Sequence, residues 1–216
     1  MDKKEIVKAL KEAQEKSKKR NFNQTFELVM SFRNLNLKSP EGQLDFYSVF
    51  KHPFRKMKIC GLVGEELLDS SKKVFDETIF VDNFEKFKDD KKAIKKLARK
   101  YDYFVGQANL MPQIATVFGR FFGPLGKMPN PKAGCVVPPS ANLEAVKTKL
   151  NKQVHIKVKT APVYQIAVGK EDGNLDNIAE DINNIYEQVV HKLPGEYQNV
   201  KSLYVKLTMG KAVRLI

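Results

Sequence analysis

Apolar and polar residues alternate with two different periods along this chain, and the change of period marks its organisation. Near the start, Ile6, Val7, Leu10 and Ala13 recur at helical spacing among Lys3, Lys4, Lys8, Lys11 and Glu12, which predicts an amphipathic helix running into the basic cluster Lys16, Lys18, Lys19, Arg20. A period-two run follows. Phe22, Phe26, Leu28, Met30 and Phe32 share one face, broken by Gln24, and Asn23, Thr25, Glu27, Ser31 and Arg33 share the other, with Val29 the exception. That is the pattern of a half-buried strand in a sheet with one wet face. After the turn-rich NLNLKSPEG, Leu44, Phe46, Ser48 and Phe50 alternate again, predicting a hairpin partner for this strand.

Beyond His52-Pro53 the pattern changes. MKICGLVG is a short continuous apolar run, as in a strand buried on both faces. Residues 65–75 carry a helical pattern, TIFV a strand, 90–100 a helix with Ile94, Leu97 and Ala98 apolar, YDYFVG a strand and 110–118 a helix. Short strands alternating with helices predict βα units around a parallel sheet. Residues 119–140, GRFFGPLGKMPNPKAGCVVPPS, hold five of the ten prolines and four of the twelve glycines, with no acidic residue, and are expected to form one long basic loop without helix or regular strand. A short helix is predicted at 141–150, and alternation returns at Val154, Ile156 and Val158 and again over 163–168. Residues 174–193 are the clearest helix, with Leu175, Ile178, Ala179, Ile182, Ile185, Tyr186, Val189 and Val190 in register and Pro194 as the stop, and VKSLYVKL is the last strand.

Alternating strands thus lie at both ends and βα units in the middle. The expected fold is an α+β discontinuous domain, an antiparallel sheet with helices, formed by 1–56 and 155–216, with an α/β Rossmann-like domain of 57–154 inserted through a two-chain hinge. At 216 residues and 42% hydrophobic content, the chain can bury two such cores. No apolar stretch approaches a membrane span, and the charged N-terminus does not read as a signal peptide. Cys60 and Cys135 are too few for a disulfide framework and fit a reducing, cytosolic setting.

Charge narrows the partner. Lys and Arg total 38 against 25 Asp and Glu, a formal +13, which favours a polyanion: nucleic acid first, an acidic membrane surface second. Catalytic motifs are missing. GPLGK at 123–127 has Phe121 and Met128 where a phosphate-binding loop needs glycine and a magnesium-binding hydroxyl, and there is no GxGxxG. His52, His155, His191 and the two cysteines show no metal-ligand spacing, and no serine lies in a G-x-S-x-G context. The basic segments are better candidates. These are the Lys16–Arg20 cluster, the acid-free C-terminus with Lys201, Lys206, Lys211 and Arg214, and Lys157 with Lys159 on one face of a strand; with Ser202, Tyr204 and Lys206 the last two would form a positive polar surface on one sheet. Two readings stand for Phe22: core residue by alternation, or partly exposed ring for ribose or base stacking. Thr208-Met209-Gly210 is either a plain strand end or a turn whose glycine lets backbone amides approach a ligand.

These same residues carry a resemblance. SLYVKLTMGKAVRLI resembles the C-terminal signature of the ribosomal L-one family, GPLGKMPNPKAG its central GPRGLMPNPKxG-type motif, and NFNQTFELVMSF its first strand. APVYQIAVGKED and KLPGEYQNVKSLYVK resemble its archaeal and eukaryotic branch, and the likeness spans essentially the whole chain.

The resemblance implies a non-enzymatic protein of the large ribosomal subunit in the cytoplasm, without cofactor or metal, monomeric when free. It would bind the rRNA of the mobile stalk beside the exit site, assist release of deacylated exit-site tRNA, and in some members repress translation of its own mRNA. It implies RNA contacts by Phe22, Thr25 and Glu27 from the first strand and Ser202, Thr208, Met209 and Gly210 at the C-terminus. Thr208 and the Met209-Gly210 backbone would bond sugar and base groups, and Glu27 would accept from a base amine or ribose hydroxyl or orient a neighbouring Lys or Arg. Lys157 and Lys159 would position phosphates. Four positions depart from the family pattern: Asn21 in place of a basic residue, Leu207 in place of threonine, Leu125 in place of the arginine of GPRG, and HPFRK in place of a glycine-containing hinge sequence. The rival readings are a non-ribosomal basic RNA-binding module and a nucleotide-binding α/β enzyme built on the middle segment.

Overall fold

The computed structural model describes residues 2–216, the side chain of residue 89 excepted. Helix α1 (Lys3–Glu15) starts at Asp2, whose carboxylate accepts the Lys4 N–H at 3.1 Å, and buries Ile6, Ala9, Leu10 and Ala13. Strand β1 (Thr25–Phe32) buries every second residue, Phe26, Leu28, Met30 and Phe32. Then follow β2 (Leu44–Val49), β3 (Ile59–Val63), α2 (Glu65–Val74), β4 (Glu77–Phe80), α3 (Phe84–Asp89), α4 (Lys91–Lys100), β5 (Tyr103–Gln107), α5 (Met111–Phe122), β6 (Val136–Val137) and α6 (Leu143–Lys152). The chain closes with β7 (Gln153–Val158), β8 (Val163–Lys170), α7 (Leu175–Val190), β9 (Val200–Leu207) and β10 (Val213–Arg214). The fold is mixed α/β, with seven α-helices and three sheets among the described residues. No helix among them is long and apolar enough to cross a membrane.

The chain divides into two compact units, one of residues up to Phe54 with Lys152–Ile216, the other Arg55–Asn151. The divisions fall two and three residues before those read from the sequence pattern, 56 and 154. In the first unit an antiparallel sheet of order β10-β9-β1-β8 packs one face against α1 and α7, with Phe26, Leu28, Met30, Ile182, Ile185 and Val205 in a single core. A separate two-stranded sheet joins β2 to β7. This corrects the expected hairpin: β2 does not pair with β1, because β1 already bonds β8 on one edge (Glu27 opposite Ala167) and β9 on the other (Glu27 opposite Lys206). Alternation marks a strand but carries no information about its partner.

In the second unit four parallel strands run in the order β4-β3-β5-β6, with every residue of β3 buried. Its core gathers Leu62, Ile94, Leu97, Phe104, Ile114, Phe118 and Phe122. The expectation for 119–140 is corrected at both ends. Helix α5 continues through Gly119 to Phe122, and Val136 pairs with Gly106 of β5. Phe118 and Phe122, one turn apart, are both completely buried, and their burial outweighs the roughly 1 kcal/mol that glycine costs inside a helix. Between these ends the chain is irregular apart from one 3-10 turn (Pro131–Ala133), which Asn130 caps by accepting the Lys132 N–H at 2.9 Å and Gly134 ends in the left-handed region at φ 75°. Helix α3 escaped the sequence pattern because six residues are too few to show a helical period.

Candidate nucleic-acid interface

The segments that the resemblance singles out meet in the first unit at one end of β1 and β9. Thr25 and Thr208 lie side by side, with the Thr208 N–H donating to the Thr25 carbonyl at 3.0 Å and its hydroxyl to the same oxygen at 3.2 Å. The turn after β9 is closed by the Gly210 N–H donating to the Leu207 carbonyl at 2.8 Å.

The joint between this turn and the β1 entry is Gln24, buried at 1% exposure. Its Oε1 accepts the Met209 N–H at 3.2 Å, and its Nε2 donates to the Ser17 Oγ just past α1, also at 3.2 Å. Its own backbone is tied to Glu171: the Gln24 N–H donates to the Glu171 carboxylate at 3.2 Å, and the Glu171 N–H to the Gln24 carbonyl at 2.9 Å. Gly210 closes the joint. A Cβ there would lie 3.1 Å from the Ser17 Oγ and 3.2 Å from the Leu207 Cβ, so a side chain at this position would fit only if those neighbours gave way by a few tenths of an ångström.

Two large apolar side chains stand out of this joint into solvent, Phe22 at 55% exposure and Met209 at 59%. Of the two readings of Phe22, the structure selects the exposed one. Lys18, Lys19, Arg20 and Asn21 leading to it are all exposed, as is Lys211 beyond the turn. A ring, a thioether, hydroxyls and a run of cations therefore share one edge, the combination that binds nucleic acid through stacking and phosphate contacts together. Gln24 was the residue missed in the sequence. Its signal was there, a polar side chain at a core-facing position of an otherwise apolar alternation, and buried polar groups are held by partners.

The remaining candidates divide. On the wet face of the sheet, Glu27 accepts from the Gln165 Nε2 at 2.5 Å and lies 3.8 Å from the Lys206 Nζ. Ser202, opposite Ser31, is 6% exposed and nearly covered. The expected positive surface on one sheet is corrected. Lys157 is exposed but belongs to β7, in the other sheet, and Lys159 lies just past that strand with its Nζ 2.6 Å from the Asp45 carboxylate. Asp45 also takes a 2.7 Å contact from His155, whose ring stacks on Tyr47 at 4.4 Å, and Lys159 followed by His155 holds its carboxyl down at about 2. Lys159 is thus largely neutralised within the fold, and Lys206 shares its charge with Glu27. Among the described residues, Lys18, Lys19 and Arg20 in the segment between Ser17 and Phe22 are exposed and have no carboxylate within ion-pair distance.

Among the described residues of the second unit, the motifs considered do not come together as an enzyme site. The Lys127 Nζ of GPLGK donates to the Tyr101 carbonyl. Burial pushes the Cys135 thiol up to about 11 and the Cys60 thiol higher still, so neither is a ready thiolate. Among the described residues no group of three or more His, Cys, Asp or Glu side chains is placed to hold a metal ion.

Residues 10–211 match the model of the Ribosomal protein L1p/L10e family. A large ribosomal subunit protein uL1 from Nanoarchaeum equitans is 39% identical over 215 residues, covering 97% of this chain and 99% of that protein. The uL1 proteins of Thermococcus kodakarensis and Archaeoglobus fulgidus are 35% and 33% identical, each with at least 98% of both chains covered. A match of this extent, falling on a chain whose first strand and C-terminal turn come together as described, places it: the chain belongs to the Ribosomal protein L1p/L10e family.

Proposed function

We propose that this protein is a structural, non-enzymatic constituent of the large ribosomal subunit in the cytoplasm, and that it binds the rRNA of the mobile stalk through the edge built on Gln24. The observation that carries the reading is the union, through one buried glutamine, of the exposed Phe22 and the Thr208–Gly210 turn in a chain of this family. Phe22 supplies a stacking face for a base or ribose. The amides of Met209 and Gly210 are already used by Gln24 and Leu207, so the turn meets RNA through its carbonyl oxygens and the Thr208 hydroxyl. While that hydroxyl donates to Thr25, its lone pairs accept from a ribose 2′-hydroxyl, a group DNA lacks. Thr25 adds a second hydroxyl beside it. Glu27 acts mainly by orienting Lys206, and Ser202 by packing beneath the face. Lys157 positions phosphate, and Lys159 contributes less because Asp45 holds it.

The finer reading follows from the same family. The first unit is the RNA-binding domain, and the second is an inserted Rossmann-like domain. The bound protein assists departure of deacylated tRNA from the exit site, and the same edge binds an mRNA structure that mimics the stalk. Filter binding of the full chain to a stalk rRNA fragment tests the central claim. Thr208→Val and Met209→Asp should each weaken binding at least tenfold, and unchanged affinity in both would remove the site. Competition with the chain's own leader transcript tests the repressor reading, and a crosslink to exit-site tRNA on 50S-type subunits tests the other.

A further inference from the structure

Helix α4 carries Lys91, Lys92, Lys95, Lys96, Arg99 and Lys100 in ten residues, with no acid within it. Ile94, Leu97 and Ala98 are buried in the second unit's core, which fixes the helix and turns its cations outward. Lys100 is neutralised by Glu77 at 2.8 Å, while the other five are exposed and, among the described residues, have no carboxylate within ion-pair distance.

This arrangement works against the helix itself. Lys91 and Lys92 occupy the first turn, where the helix dipole favours negative charge. Lys91 with Lys95, Lys92 with Lys96 and Lys95 with Arg99 are like-charge pairs one turn apart, each destabilising. Asp90 offsets part of this by capping the Lys92 and Ala93 N–H groups at 3.0 and 2.9 Å. The neighbouring α2 follows the opposite rule, with Glu65 and Glu66 in its first turn and Lys72 and Lys73 in its last. A solvated face chosen for stability would look like α2. A face chosen for a polyanion would look like α4.

We propose that the outer face of α4 is a second RNA-binding surface, holding the phosphate backbone of a structured RNA by charge and without reading sequence. It does not depend on the Gln24 edge. A lipid surface fits poorly, because a helix that lies on a membrane inserts its apolar side, and that side of α4 is already buried in the protein. A partner helix fits poorly for the same reason, since no apolar seam is left to pack. An RNA backbone needs neither: its dense row of charges meets a helix about 15 Å long along one side.

The test compares two full-length variants. One replaces Lys92, Lys95, Lys96 and Arg99 by glutamine; the control replaces Lys56, Lys72, Lys73 and Lys132, exposed lysines of the same unit, by glutamine. Binding to a 24-base-pair RNA duplex of arbitrary sequence is measured against salt. The α4 variant should lose at least tenfold affinity at low salt, and its log–log salt slope should fall by about three units. The control should change less than threefold. Affinity of the α4 variant for the stalk rRNA fragment should stay within threefold, whereas Thr208→Val lowers it, so the two sites fail separately. Glutamine keeps helix propensity and relieves repulsion, so the α4 variant should melt no lower than the wild type. Equal losses in both variants, an unchanged slope, or a loss confined to phosphatidylserine vesicles would overturn the proposal.

Discussion

Replacing Gln24 by leucine removes the joint of the proposed interface while nearly preserving its volume, so the cavity cost of a truncation is avoided. Two side-chain hydrogen bonds disappear, one to the Met209 N–H and one to the Ser17 Oγ, each 3.2 Å long. A net hydrogen bond contributes about 0.5–1.5 kcal/mol, and a buried donor left without a partner costs about 1–3 kcal/mol. The Met209 amide is only partly buried and recovers some of this from water. The expected loss is therefore about 1–3 kcal/mol of unfolding free energy, read by urea denaturation at unchanged m-value. The backbone bonds between Gln24 and Glu171 survive the change, so the first unit should still fold. The same turn must be held in place when RNA binds, and about 1.4 kcal/mol spent on re-ordering it lowers affinity tenfold. Filter binding to the stalk fragment should show a drop of about that size. Lost stability with wild-type affinity would mean that the turn is no part of the interface. Wild-type stability would mean that Gln24 does not pin it.

Other expectations follow from the same geometry. Phe22→Ala should leave stability within about 0.5 kcal/mol, because the ring is already exposed, yet weaken RNA binding by about 1–3 kcal/mol through lost stacking, read by thermal melts and filter binding side by side. Asp181, buried in α7, accepts the Lys51 N–H at 2.7 Å and the His52 N–H at 3.2 Å, and burial raises its pKa. Asp181→Leu, which leaves both amides without an acceptor, should therefore cost about 2–4 kcal/mol, whereas Asp181→Asn, which keeps an acceptor and removes a buried charge, should cost under about 1 kcal/mol in denaturant titration. Asp45 has its pKa lowered from 3.8 to about 2 by Lys159 and His155, so the unfolded chain binds that proton more tightly than the folded one. The stability it contributes is whole above about pH 4 and is lost as the pH falls towards 2. With a third of the side chain exposed, the gap between wild type and Asp45→Asn should stay under about 1 kcal/mol at pH 6 and shrink by pH 2.5.

The elements of this protein were written largely in local pattern. The 3.6-residue spacing of Ile178, Ile182, Ile185 and Val189 and the strict alternation from Phe26 to Phe32 are enforced by which face must leave water, and that demand acts residue by residue along the chain. The charge excess marked a polyanionic partner for the same reason: it is a sum and needs no geometry. Pairings could not be read so. The displacement of β2 to β7, the capture of Lys159 by Asp45 and the tie of Gln24 to Met209 join residues more than a hundred positions apart.

What tertiary structure decided, then, was the use of each residue. It brought Phe22 out of the core its alternation offered, covered Ser202, spent the Met209 amide internally, tied Lys100 of α4 to Glu77, and left Lys18–Arg20 and the other five cations of α4 without a carboxylate partner among the described residues. Sequence alone determined most of the helices and strands, because burial acts locally, and missed short ones such as α3 and β6. Only the folded chain determined which side chains remain available to RNA, because availability depends on what distant segments have already claimed.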